Sequence, residues 1–160
     1  MKSKLTHQLA KHIREIYFGK NWTWVNIQEN LEDVTCEEAN TKIGNVNTIL
    51  TLIYHIHYYT GALFSVLRGG PLTGKDKYSF EHPEISTDEE WKAFLNKIYS
   101  EVEELASLVE QLDEDKIWEF FTEEKYGNYY RNIAGFVEHS HYHLGQIVML
   151  KKMIRADQIE

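Results

Sequence analysis

Apolar residues recur every three or four positions over four long stretches of this chain, the spacing that lays one stripe along an α-helix. From Lys4 to about Phe18 the stripe is Leu5, Leu9, Ile13, Ile16 and Tyr17. After a break at Gly19-Lys20-Asn21 a shorter stripe runs through Trp24, Ile27 and Leu31, so the first helix is expected to be bent or interrupted near Gly19. Asn47-Thr48 opens a second helix with the stripe Ile49, Ile53, Ile56, Thr60, Leu63 and Leu67, which stops at Gly69-Gly70. Ser86-Thr87-Asp88-Glu89 resembles a capping box and starts a third, with Trp91, Phe94, Leu95, Ile98, Val102, Leu105, Leu108 and Leu112 on its buried face. A fourth begins near Asn128 and carries Ile133, Phe136, Val137, Leu144, Ile147, Leu150 and Ile154.

No segment sustains the period-two alternation of a strand. Both prolines, Pro71 and Pro83, fall in the stretch 69–86, the longest loop. Four helices of about 20 residues or more, with no internal repeat, predict an all-α fold, a four-helix bundle formed by one domain over residues 1–160. The long link between the second and third helices would let them run parallel, whereas short links favour antiparallel neighbours.

The apolar fraction of 42% and charged fraction of 26% are those of a globular chain able to bury a real core. A net charge of −8 argues against a nucleic-acid backbone or an anionic membrane as the main partner. The opening MKSKLTHQLAKHIREI is interrupted by charge, unlike a signal peptide, and no run reaches the ~18 apolar residues of a membrane span. A cytoplasmic location is the expectation. With Cys36 the sole cysteine, an intramolecular disulfide is impossible, and a metal would be held by His, Asp or Glu. Cys36, in the polar stretch DVTCEEAN, reads as incidental. Asn21-Trp22-Thr23 matches a glycosylation sequon, a pattern with meaning only in a secreted protein.

Histidine, the commonest metal ligand, is where the chemistry concentrates. Three of the eight histidines lie in Glu138-His139-Ser140-His141-Tyr142-His143-Leu144-Gly145-Gln146, within the fourth helix. Residues four apart on a helix stand one above the other, so His139 and His143 can aim at one point, while His141 is rotated by about 200° from His139. Measured from Ser140 at the centre of the apolar stripe, His143 falls at about −60° and His139 at about −100°, at the edge of the core. Asn132 and Gln146 share that flank, and Glu138 points outward. Glu138-x-x-His141 is formally a di-iron motif, but that architecture needs the motif on two helices with further inward glutamates, and no second copy exists.

The second helix offers His55 and His57, two residues apart and facing different ways. Periodicity slightly prefers His57, beside the Ile53 and Thr60 stripe, whereas His55 groups with Leu52, Tyr59, Ala62 and Val66 on a second flank. Wheel geometry leaves the choice open.

These residues carry a resemblance. Asn47-Thr48-Ile49 followed by Leu52-Ile53-Tyr54-His55-Ile56, together with His139-x-x-Tyr142-His143-x-Gly145-Gln146-Ile147, resembles the DinB superfamily, which includes YfiT-like proteins. The likeness in helix order covers nearly the whole chain; its specific part is one mid-helix histidine and His-x-x-x-His-x-Gly-Gln on the last helix. It implies His55, His139 and His143 as metal ligands, favouring His55 over His57. It also implies a four-helix bundle with a long crossover between helices two and three, often dimeric. Relatives include metal-dependent thiol transferases or isomerases that use low-molecular-weight thiols, and putative hydrolases. The chain departs from the general pattern at Asn21-Trp22-Thr23 and at the aromatic pair Tyr58-Tyr59.

Three neutral imidazoles and an open position suit Zn²⁺, Ni²⁺ or Fe²⁺. The expected function is that of a divalent-metal protein, a metal-dependent thiol transferase or hydrolase with a small-molecule substrate. Tyr59 and Gln146 are expected to line the site, and no general base stands out. The competing expectation is a non-catalytic, stress-related bundle working through a homodimer or a protein partner, with Trp22, Trp24 and clustered tyrosines serving an interface or the core.

Overall fold

Three of the four long helices begin beside a residue whose side chain satisfies an otherwise orphaned backbone N–H, and the first N–H groups of the remaining one, at Leu5 and Thr6, are met by the Glu114 carboxylate. In the computed structural model, which describes residues 4–156, Thr48 Oγ1 accepts from the Thr51 N–H and opens α4 (Ile49–Leu67). Thr87 caps α5 (Asp88–Glu110) with a capping box closed by Glu90, one residue later than the box expected at Ser86. α1 (Leu5–Phe18) ends at Gly19, whose φ of 112° a residue with a Cβ rarely adopts. α6 (Tyr129–Ala156) begins beside Asn128, whose Oδ1 accepts from the Arg131 N–H.

Between α1 and α4 the chain forms two five-residue helices, α2 (Ile27–Leu31) and α3 (Cys36–Asn40). Each is too short to print a helical period on the sequence, yet each is capped, by Asn26 and by a Thr35–Glu38 capping box. The interruption expected near Gly19 is therefore a change of direction followed by new elements. Trp24 does not belong to a buried stripe: it sits at φ 55° and is 83% exposed, because the turn before α2 is built on Asn21 instead. Asn21 is buried, donates to the Glu15 and Val25 carbonyls and accepts from the Thr23 N–H, so its amide is spent on the turn.

α1 packs most extensively on α5, and α4 on α6; α4 also meets α5 and α1 meets α6, so the four long helices contact one another in a ring. Ile13, Ile16, Ile53, Ile56, Ile98 and Ile147, all fully buried, fill its interior. Arg14 ties α1 to Glu103 and Glu110 of α5. His57 pairs with Glu101 at 2.9 Å and Arg68 with Glu104, tying α4 to α5. Between these two helices lies the segment 68–87, which includes a short 3-10 turn at Asp76–Tyr78 and returns toward α4, where Ser79 is fully buried. No helix among the described residues is long and apolar enough to cross a membrane.

Candidate metal centre

α4 supplies His55 and α6 supplies His139 and His143, and one ring nitrogen from each lies within 4.8 Å of the other two. The i, i+4 relation on α6 places His139 and His143 with ring centroids 4.5 Å apart and nearly perpendicular planes. His55 meets both, at 4.8 Å from each. Its Nε2 stands 3.0 Å from His139 Nε2.

Hydrogen bonds behind the rings decide which nitrogen faces inward. Ser79 Oγ donates its one hydrogen to the Asp76 carbonyl at 2.7 Å, so toward His55 it can only accept, at 2.8 Å. His55 therefore carries its proton on Nδ1 and presents the Nε2 lone pair to the cluster. His143 Nδ1 lies 2.7 Å from Gln146 Oε1, an acceptor, which likewise leaves His143 Nε2 unprotonated. His139 Nε2 is then the donor in its contact with His55, and a metal at the same point would require His139 to keep its proton on Nδ1 instead. A metal at about 2.0–2.1 Å from each nitrogen in tetrahedral geometry separates the nitrogens by about 3.3 Å; the His55–His139 pair stands at 3.0 Å and all three nitrogens lie within 4.8 Å of one another. The donor set fits a divalent ion such as Zn²⁺, and outer hydrogen bonds of this kind are what orient metal-bound imidazoles.

Electrostatics favour the neutral form that ligation needs. Burial, then the neighbouring His143 and His55, pushes the His139 pKa down to about 4. Burial also lowers His55, again with His143 contributing, while Asp76 opposes the shift. Phe80 stacks on the outer face of His55 at 4.0 Å and 10°, and the Tyr59 ring stands edge-on to both His55 and His139. Tyr59 donates its hydroxyl to Asp76 Oδ1 at 2.6 Å; burial and this carboxylate push its pKa up to about 12. Beside the cluster opens a cleft of about 490 Å³, lined by His139, Tyr59 and Asp76 and walled by Leu63, Phe121 and Phe136.

His57, preferred slightly by periodicity, is not in the cluster; it faces α5 and binds Glu101. The reason is visible in α4, which buries Leu52, His55, Ala62 and Val66 on one flank as well as Ile53, Ile56 and Thr60 on another. A helix apolar on two flanks has no single stripe from which to read a direction. His141 stays outside the cluster, as its rotation on α6 predicts, and Glu138 is exposed. Asn132 lines the cleft with its amide spent on the Tyr126 and Asn128 carbonyls. The sequence reading missed Ser79, Asp76 and Phe80, which lie in the proline-flanked loop where no periodicity operates. Their one signal is a short run of polar and aromatic residues, Asp76-Lys77-Tyr78-Ser79-Phe80, inside an otherwise polar connection.

A family model for the DinB superfamily matches residues 21–147, a span that holds all three histidines together with Ser79 and Gln146. No curated protein and no solved structure matches the chain.

Proposed function

The chain belongs to the DinB superfamily, and from that premise we propose that His55, His139 and His143 bind one divalent metal ion and that the cleft beside it receives a small-molecule substrate for metal-dependent thiol transfer or hydrolysis. The single observation that carries this reading is the convergence of three imidazole nitrogens within 4.8 Å, two of them held with the lone pair inward by Ser79 and Gln146. A metal bound there supplies a Lewis-acid position able to take a thiol sulfur or a carbonyl oxygen, while the protein contributes orientation and a partly water-excluding wall.

Every other role belongs to side chains of this chain. Ser79 and Gln146 hold the ring orientations, Phe80 stacks on His55, and the Tyr59–Asp76 pair keeps a proton in the cleft beside the histidines. Asp76, whose charge acts on both His55 and His139, is the candidate proton acceptor; His57 faces away toward Glu101. A four-helix bundle with α4 and α5 parallel across a long crossover is part of the same reading, supported by the concerted order of the His57–Glu101 and Arg68–Glu104 pairs. So is a homodimer. The non-catalytic alternative, a bundle acting through a protein partner, is favoured by one observation: Trp22 and Trp24 are 96% and 83% exposed on a turn fixed by Asn21.

The test is metal analysis of protein purified without chelators, then assays of the native protein and His143→Ala against thiol donors with electrophilic acceptors and against simple esters and amides. The enzymatic reading expects metal-dependent turnover in one of these classes, abolished in His143→Ala. Metal bound with every class inert favours the interaction protein. Failure to bind Zn²⁺, Ni²⁺ or Fe²⁺ removes the metal reading altogether.

A further inference from the structure

Arg131 projects from the first turns of α6 into the wall of the 490 Å³ cleft, and its guanidinium has no carboxylate or other partner among the described residues. In a chain of net charge −8 whose Arg14, Arg68 and Arg155 are each tied to Glu or Asp, the exposed Arg131 guanidinium at this cleft is left to water and is free to take an anion. Its stem is positioned rather than loose. Gly127, at φ 73°, leaves room that a Cβ would fill, since such an atom would stand 2.7 Å from Arg131 Cδ. The walls between Arg131 and the histidines are apolar, formed by Leu63, Leu72, Phe121 and Phe136.

We infer that the cleft binds amphipathic carboxylates, with the carboxylate at Arg131, an apolar body along these walls, and the opposite end directed at the histidine cluster. Charge decides the orientation. Asp76 stands at the histidine end beside Tyr59 and His139 and repels an anion, whereas Arg131 at the other end attracts one and can hold a carboxylate through two parallel N–H donors. Arg131 and His139 are eight residues apart on one helix, about 12 Å along its axis, so a ligand spanning both has a body of several carbon atoms. The ligand's contact at the histidines rests on the metal reading; the one at Arg131 does not.

The experiment measures binding of 3-phenylpropanoate and its neutral isostere 3-phenylpropanamide by NMR titration, with metal-free and Zn²⁺-loaded protein, for the native chain and Arg131→Gln. The expected result is at least tenfold tighter binding of the carboxylate than of the amide by the native protein in the metal-free arm. Arg131→Gln is expected to bind the two alike while its Zn²⁺ titration is unchanged. Equal binding of the two probes by the native protein, no binding of either, or discrimination that survives in Arg131→Gln overturns the inference. Because the metal-free arm reads Arg131 alone, loss of the metal reading in a separate Zn²⁺ titration leaves this result interpretable.

Discussion

Gln146 and Ser79 touch no metal position, yet they settle which nitrogen of His143 and His55 faces the cluster. Removing such an outer hydrogen bond frees the ring to rotate or change tautomer, and typically weakens metal affinity by about 10–100-fold. Gln146→Leu and Ser79→Ala are each expected to weaken Zn²⁺ binding by that factor in competition with a chromophoric chelator, with the circular dichroism spectrum unchanged. Wild-type affinity in both variants would show that the rings are held by packing alone. At this scale the sequence was half informative. His139 and His143 were legible because both sit on one helix, where a fixed rise and rotation translate spacing into direction. Ser79 was not, because its position depends on how a twenty-residue connection folds back, the regime in which local rules give no register.

At the scale of elements, the ends of the long helices follow from side-chain chemistry more closely than from the apolar stripe. Thr87 and Glu90 form a capping box over the first turn of α5, on the exposed surface and remote from the histidines. Thr87→Ala is therefore expected to lower stability in urea unfolding by ~1 kcal/mol and to leave Zn²⁺ affinity as it was. A change in metal affinity would mean that the connection 68–87, which carries Ser79, is registered by the start of α5. The four long helices were readable in the sequence because each sustains its period over several turns. α2 and α3 were not, since five residues complete little more than one turn. Periodicity did not separate His55 from His57 for a different reason: α4 is buried against α5 and α6 at once, and only the arrangement of those neighbours says which flank faces the ligands.

Across the whole molecule, buried imidazoles couple stability to pH and to metal. His139 is held down to about 4, and His55 and His57 are also lowered, in each case mainly by burial, against about 6.5 in an unfolded chain. Between these values the unfolded state takes up protons that the folded state refuses, so the metal-free protein has its full stability above pH 6.5 and loses it as the pH falls toward 4. Below that, Asp33, held at about 2 by Arg155 and Lys151, adds a further loss as the pH falls through the ordinary carboxylate range. Thermal unfolding of the metal-free protein should show a midpoint that drops between pH 6.5 and 4; a flat profile would contradict the neutral state of the cluster. Zn²⁺ at about 100 times its dissociation constant adds about 2.7 kcal/mol at neutral pH, a rise in Tm of roughly 5–10 °C for a chain of this size. That rise should vanish at pH 4.

The most direct test of the central claim, that His55 and not His57 completes the site with His139 and His143, is a Zn²⁺ competition titration of the native chain, His55→Gln and His57→Gln. One ion per chain is predicted for the native protein and for His57→Gln with the same affinity, and binding at least 100-fold weaker for His55→Gln. Loss of affinity in His57→Gln, or native binding in His55→Gln, would contradict it.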